Sequence, residues 1–204
     1  MSELILDRRA VLSRILQDRD GALIVTGLGS PVWDLSSLDE RPENFHLWAG
    51  MGLACVTGLG LALAQPDKRV WVVTGDGEML MGVGSFATIA TKAPRNLSIM
   101  VLDNEHYVET GMQATHTGQG VDLAGMAAAA GFARTLTVRE DGDVETLATA
   151  LKEGGFPLFA TVKVKADSLP KKLSPRDGVH IKNCLLYTSP SPRDKSSSRM
   201  PSSA

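Results

Sequence analysis

Short, unbroken apolar runs alternate along this chain with longer segments of helical character. Residues 22–26 (ALIVT), 70–74 (VWVVT), 97–102 (LSIMVL), 134–138 and 157–164 (PLFATVKV) read as strands. Residues 4–16 place apolar side chains at Leu4, Ile5, Val11, Leu12, Ile15 and Leu16, the spacing of an amphipathic helix. Further helices are predicted over 51–64, 84–91, 122–130 and 143–152, and Ser30-Pro31 reads as a helix start with serine as the cap. Strands that lack strict alternation and are separated by helices indicate an α/β fold, a mostly parallel sheet with helices on both faces. Ligands of such sheets sit at the carboxyl ends of the strands. Three glycine-rich or polar turns fall at such ends, residues 26–30, 75–78 and 103–107.

Composition narrows the classes. The 204 residues carry 21 basic and 23 acidic side chains, which excludes a strongly basic nucleic-acid binder. Two cysteines cannot build a disulfide scaffold or a four-cysteine metal site. The longest mostly apolar run, 51–64, is too short to span a bilayer, and the N-terminal segment MSELILDRRA lacks the apolar core of a signal peptide. A soluble, cytoplasmic protein without a membrane partner is expected. From Cys184 the composition shifts: the segment 184–204 holds seven serines and three prolines, without periodicity. CLLYTSPSPRD and SRMPSSA resemble the translation of a sequencing adapter. Residues 184–204 are therefore expected to be a non-native tail, and residues 1–183 one domain truncated at its C-terminal helix, with 18 basic against 22 acidic side chains.

The chemistry centres on Gly75-Asp76-Gly77 after a predicted strand. Glycines let the backbone approach a bulky anion, and free amides there donate to phosphate oxygens. Asp76 would repel a phosphate unless a cation lay between, which argues for a diphosphate with Mg²⁺; a plain tight turn is the alternative. Asn104 follows Asp76 at a distance that one helical crossover can span before the chain returns to the same sheet edge. Its amide oxygen and a nearby backbone carbonyl can complete an oxygen-only Mg²⁺ site. Gly27, Gly29 and Ser30 form a second anion-friendly turn at the same sheet edge. His116, in THTGQGVD, is either a proton donor or carboxylate contact for a substrate or a surface histidine. His46 and His180 carry no such argument.

GDG followed, one crossover later, by an Asp-Asn pair resembles the thiamine diphosphate motif, and the stretch from Trp48 to Gly111 is similar to that family throughout. The resemblance implies that Asp76, Asn104 and the carbonyl of His106 hold Mg²⁺, and that the amides of Gly77 and Glu78 hold the diphosphate. Glu78 departs from the small residue common at its position, so its carboxylate has to point away from the phosphates. Met51, by its position upstream of GDG, stands where the family places the apolar wedge that bends the cofactor. Ala49 and Met51 would contact the pyrimidine ring through their backbones; Gly50, Gly75 and Tyr107 complete the implied set. Glu109, Thr110 and Gln113 would face the thiazolium side.

Enzymes of this family also need a pyrimidine-binding domain that supplies an activating glutamate, and residues 1–183 leave no room for it. The resemblance thus implies a partner chain and an active site at a subunit interface. Within the family it points to sulfopyruvate and phosphonopyruvate decarboxylases, with a small 2-oxo acid as substrate. An acetolactate-type carboligase subunit and a non-catalytic nucleotide-binding module are the alternatives. The latter is weakened because Val32 stands where the third glycine of GxGxxG would be.

Overall fold

The computed structural model of the chain describes residues 4–189. Eight strands and eight α-helices are formed among them. In chain order these are α1 (Arg8–Leu16), β1 (Leu23–Thr26), α2 (Ser30–Leu38), β2 (Asn44–His46), α3 (Ala54–Ala64), β3 (Val70–Gly75), α4 (Asp76–Met81) and α5 (Ser85–Lys92). There follow β4 (Leu97–Asp103), β5 (His106–Tyr107), β6 (Gln113–Ala114), α6 (Leu123–Ala130), β7 (Arg134–Val138), α7 (Asp141–Glu153), β8 (Leu158–Lys163) and α8 (Gly178–Thr188). Six strands make one sheet in the order β2-β1-β3-β4-β8-β7, every pair parallel.

Both faces of the sheet are covered, which explains why the strands read as continuous apolar runs. Successive side chains go to opposite faces. Ile24, Trp71, Val73, Met100, Leu102, Ala160 and Val162 meet Val11, Leu12 and Ile15 of α1, Leu35 of α2 and Val144, Leu147 and Leu151 of α7. Their neighbours Leu23, Val25, Val70, Val72, Leu97, Ile99, Val101 and Phe159 meet α3, α5 and α6 on the other face. There Phe86, Phe132 and Phe159 stack edge to face with centroids 5.0–5.8 Å apart.

Several helix ends differ from the sequence expectation. α1 starts at Arg8 because the Asp7 carboxylate accepts from the Ala10 amide at 2.8 Å, while Leu6 instead pairs with Val164 beside β8. The cap of α2 is Gly29, not Ser30; its φ of +83° is a left-handed conformation glycine adopts without strain, and Ser30 becomes the first helical residue. α4 stands where a turn alone is expected, since the chain passes straight from β3 into helix at Asp76. α8, capped by Asp177, continues past Asn183 to Thr188, so helical structure crosses the expected boundary of the tail. Ile181 is buried and Leu185, one turn on, packs against the α3 side of the core. Lys68 Nζ and Gln65 Nε2 donate to the carbonyls of Thr188 and Ser189 at 2.6 and 2.9 Å. Residues 190–204 of the expected adapter segment lie outside the described residues.

Candidate functional site

The strand order creates a crevice. From β1 the chain leaves through α2 toward β2, whereas from β3 it leaves through α4 and α5 toward β4 on the other side. Connections that part in this way open a gap at the carboxyl ends of β1 and β3. A cleft lies there, lined by Gly29 and Ser30 after β1, Gly75, Asp76, Gly77 and Glu78 after β3, and Asn104, His106 and Tyr107 after β4. Met51, from the loop before α3, lines it too, as do Glu109 and Thr110. Twelve of the expected site residues are thus brought to one place by topology alone. Gly27 is buried behind them, and Ala49 and Gly50 are exposed on the loop leading to Met51, outside the lining. Gln113 is also outside it.

His116 is not brought to the cleft. Its side chain is exposed, and its carbonyl accepts from the Gln119 and Val121 amides at 3.0 and 3.1 Å. Its two neighbours turn inward instead. Thr115 donates to Asp76 Oδ2; Thr117 Oγ1 lies 3.1 Å from the same oxygen and 2.7 Å from Asp103 Oδ1. The two hydroxyls are 2.9 Å apart, so they lace the ends of β3 and β4 together. Asp103 is fully buried, and Lys163 of β8 meets its Oδ2 at 2.8 Å and Glu105 Oε1 at 2.7 Å. Burial and the nearby Asp103 charge raise the Asp76 carboxyl to about 6, with the threonine hydroxyls opposing the rise. Asn104 is held in an Asx turn, its Oδ1 accepting from the His106 amide at 3.0 Å. His106 Nδ1 lies 2.9 Å from the Asn104 carbonyl.

The Glu78 side chain folds back onto the carboxyl ends of β1 and β3. Its Oε2 accepts from Thr74 Oγ1 at 2.8 Å, and its carboxylate packs on Gly27, where an added Cβ would lie 1.6 Å from Oε2. Burial pushes this carboxyl up; backbone amides of Leu28, Gly52 and Ala54 oppose the shift without reaching hydrogen-bond geometry at Oε1, which has no partner among the described residues. The Tyr107 ring lies on Gly77, 2.2 Å from where a Cβ would sit, so that turn has to be glycine.

The family model "Thiamine pyrophosphate enzyme, C-terminal TPP binding domain" matches residues 32–161. The chain belongs to the thiamine pyrophosphate enzymes. Within that family it is 38% identical over 162 residues to the sulfopyruvate decarboxylase subunit beta of Methanothermobacter thermautotrophicus, covering 79% of this chain and 84% of that one. It is 39% identical over 165 residues to the phosphonopyruvate decarboxylase of Streptomyces viridochromogenes, covering 79% of this chain but only 41% of that protein. Benzoylformate decarboxylase from Polynucleobacter necessarius shares the fold, with a TM-score of 0.69 over 82% of this chain and 35% of that chain at 18% identity.

The cleft of this thiamine pyrophosphate-binding domain has the donor chemistry for a hard cation beside a diphosphate. Asp76 Oδ2 is taken by the threonines, and among the described residues no other side chain bonds Oδ1. With the Asn104 amide oxygen and a following carbonyl, it offers an oxygen-only set. Among the described residues no three His, Cys, Asp or Glu side chains cluster for a metal, so such a site depends on the amide and carbonyl oxygens. Thr115, Thr117 and Lys163 escape a reading of the sequence alone. The alternation of two threonines about His116, and one lysine inside the apolar run PLFATVKV, are the available signals. No helix of the described residues is long and apolar enough to cross a membrane.

Proposed function

We propose that this chain is the diphosphate- and Mg²⁺-binding subunit of a thiamine diphosphate-dependent decarboxylase of small 2-oxo acids. The convergence of Asp76 and Asn104 at the ends of adjacent strands, in one cleft with Met51, is the observation that carries the reading. Asp76, Asn104 and the His106 carbonyl would hold Mg²⁺. The amides of Gly77 and Glu78 would hold the diphosphate, with Gly29 and Ser30 at its other side. Thiamine diphosphate, when bound, supplies the electron sink that accepts the carbanion left by carbon dioxide.

The chain's own residues have positioning roles. Thr115 and Thr117 orient Asp76, and Lys163 fixes the Asp103–Glu105 turn that presents Asn104. Gly77 and Tyr107 shape the floor, and Met51 stands over the cleft as the wedge. The Glu78 carboxylate is held on Gly27 and Thr74, so only its backbone amide is assigned to the diphosphate. His116 is exposed outside the cleft and is given no role in it. The activating glutamate comes from a pyrimidine-binding partner chain, and the names of the sulfopyruvate and phosphonopyruvate relatives favour an anionic 2-oxo acid substrate. An acetolactate-type carboligation uses the same cofactor residues; an acetolactate synthase large subunit of Escherichia coli is 31% identical over 42% of this chain.

Asp76→Ala tests the reading. With the chain assembled with its partner, calorimetric titration of thiamine diphosphate is expected to show Mg²⁺-dependent binding to wild type and none to the variant. Equal affinities would sink the metal assignment. Carbon dioxide release from sulfopyruvate by the chain assembled with its partner then separates decarboxylation from carboligation, which yields a longer product instead.

A further inference from the structure

Among the described residues lining the cleft, Asp76, Glu78 and Glu109 are acidic and Arg8 alone carries a fixed positive charge. Arg8 opens α1 and is 5% exposed. Its Nε donates to Asp34 Oδ2 on α2, and its Nη1 donates to the Asp167 carbonyl. Asp34 is fully buried, and its other oxygen accepts from Arg9 Nε at 2.7 Å. Two guanidiniums therefore share one carboxylate, leaving the cluster with one positive charge in excess. Arg9 Nη2 donates to the Pro170 carbonyl, and Arg9 does not line the cleft. Arg8 Nη2 has no acceptor among the described residues.

Arg8 itself lines the cleft, on the side where α2 begins. Asp34 lies four residues after Ser30 on α2, hence on the same helix face, and Ser30 lines the cleft. The acidic lining does not neutralise Arg8. Glu109 Oε2 is held at the rim by Lys171 Nζ at 2.9 Å, Glu78 is turned onto Thr74, and Asp76 is bonded by the threonines. A largely buried, incompletely compensated cation is costly unless an anion meets it, and the guanidinium fork matches phosphate oxygens.

We propose that Arg8 is an anion-binding residue of the cleft, with Nη2 meeting the terminal phosphate of the bound diphosphate. Asp34 and the Asp167 carbonyl hold the guanidinium in position. The inference rests on the cofactor reading above.

The test uses the chain assembled with its partner, with Mg²⁺ and either thiamine diphosphate or thiamine monophosphate titrated calorimetrically into wild type, Arg8→Gln and Arg8→Lys. Arg8→Gln is expected to weaken thiamine diphosphate roughly 10- to 100-fold, the worth of one charge-assisted hydrogen bond. Arg8→Lys should weaken it less, and thiamine monophosphate, lacking the terminal phosphate, should be unaffected. If Arg8→Gln does not fold, Arg8→Lys decides by ³¹P spectroscopy of the bound cofactor: the terminal phosphorus resonance should move and the inner one stay. Unchanged thiamine diphosphate affinity, equal losses for both ligands, or an unmoved terminal resonance would overturn the role of Arg8. A wild-type assembly that binds no Mg²⁺–thiamine diphosphate would instead overturn the cofactor reading itself.

Discussion

At the scale of single residues, this chain buries polar groups in two different ways. Around the cleft they are cross-linked: Lys163 meets Asp103 and Glu105, and the Thr115 and Thr117 hydroxyls span Asp76 and Asp103. His46 at the end of β2 is treated otherwise. It is buried, its Nδ1 lies 2.9 Å from Thr26 Oγ1, and its Nε2 is 3.4 Å from Glu40 without a hydrogen bond. Burial pushes the imidazole below its ordinary 6.5, and Arg19 adds to the shift; Glu40 opposes it without reversing it. A histidine depressed in the folded state binds its proton more readily when unfolded. Its stabilising contribution is therefore complete above the unfolded value near 6.5 and is lost as pH falls through the lower folded value. We expect wild-type Tm to drop between about pH 7 and pH 5, and His46→Gln, which has no proton to gain, to drop less over that interval. Equal drops would place the acid sensitivity elsewhere. Sequence shows nothing of this, because a lone histidine in NFH has no periodicity to reveal burial. It does show the glycines and the Asp76–Asn104 spacing, since those requirements belong to the backbone and to strand length.

At the scale of elements, glycine decides how closely α3 lies on the sheet. A Cβ on Gly58 would sit 2.3 Å from Val72 Cγ2 of β3, whereas one on Gly60, a little further along the same helix, would meet nothing within 4 Å. Gly58→Ala should cost about 1–3 kcal/mol through overpacking. Gly60→Ala should stabilise by up to about 1 kcal/mol through helix propensity. Opposite shifts in the urea midpoint are the expected result, and shifts of the same sign would contradict this packing. The long elements are legible because they bury whole faces: the five apolar runs become β1, β3, β4, β7 and β8 with ends close to those predicted. What escapes the sequence is short or fixed by tertiary contact. β2 is three residues paired to β1, and β5 and β6 are two residues each. α4 is hidden because Asp76-Gly77-Glu78 has the composition of a turn, and the helix begins in it. Nothing in the sequence singles out Arg8, which is buried by its pairing with Asp34 of α2.

At the scale of the whole molecule, the cleft opens beside apolar side chains that the chain itself leaves uncovered. Met51 is 37% exposed, Leu53 50% and Met81 68%. They belong together, because Gly52 packs against the backbone of Met81 and Gly82; a Cβ on Gly82 would sit 2.2 Å from the Gly52 carbonyl oxygen. The start of α3 and the end of α4 thus present one apolar rim next to the proposed cofactor position. Water-exposed apolar groups grouped at a site rim mark a surface that another chain covers, and the proposed pyrimidine-binding partner has to approach from this side to reach the cofactor. Leu53→Asp and Met81→Asp remove apolar contact and place a charge in the covered surface, while the side chains they replace support no core packing. Circular dichroism and Tm of the isolated variants should therefore match wild type. Assembly with the partner subunit, followed by analytical ultracentrifugation, should weaken roughly tenfold or more for each variant, as expected at a buried interface centre. Thiamine diphosphate-dependent turnover should fall in proportion to the unassembled fraction. Variants that assemble normally would mean that the partner docks on another face, and the cleft would then have to be completed without covering this rim.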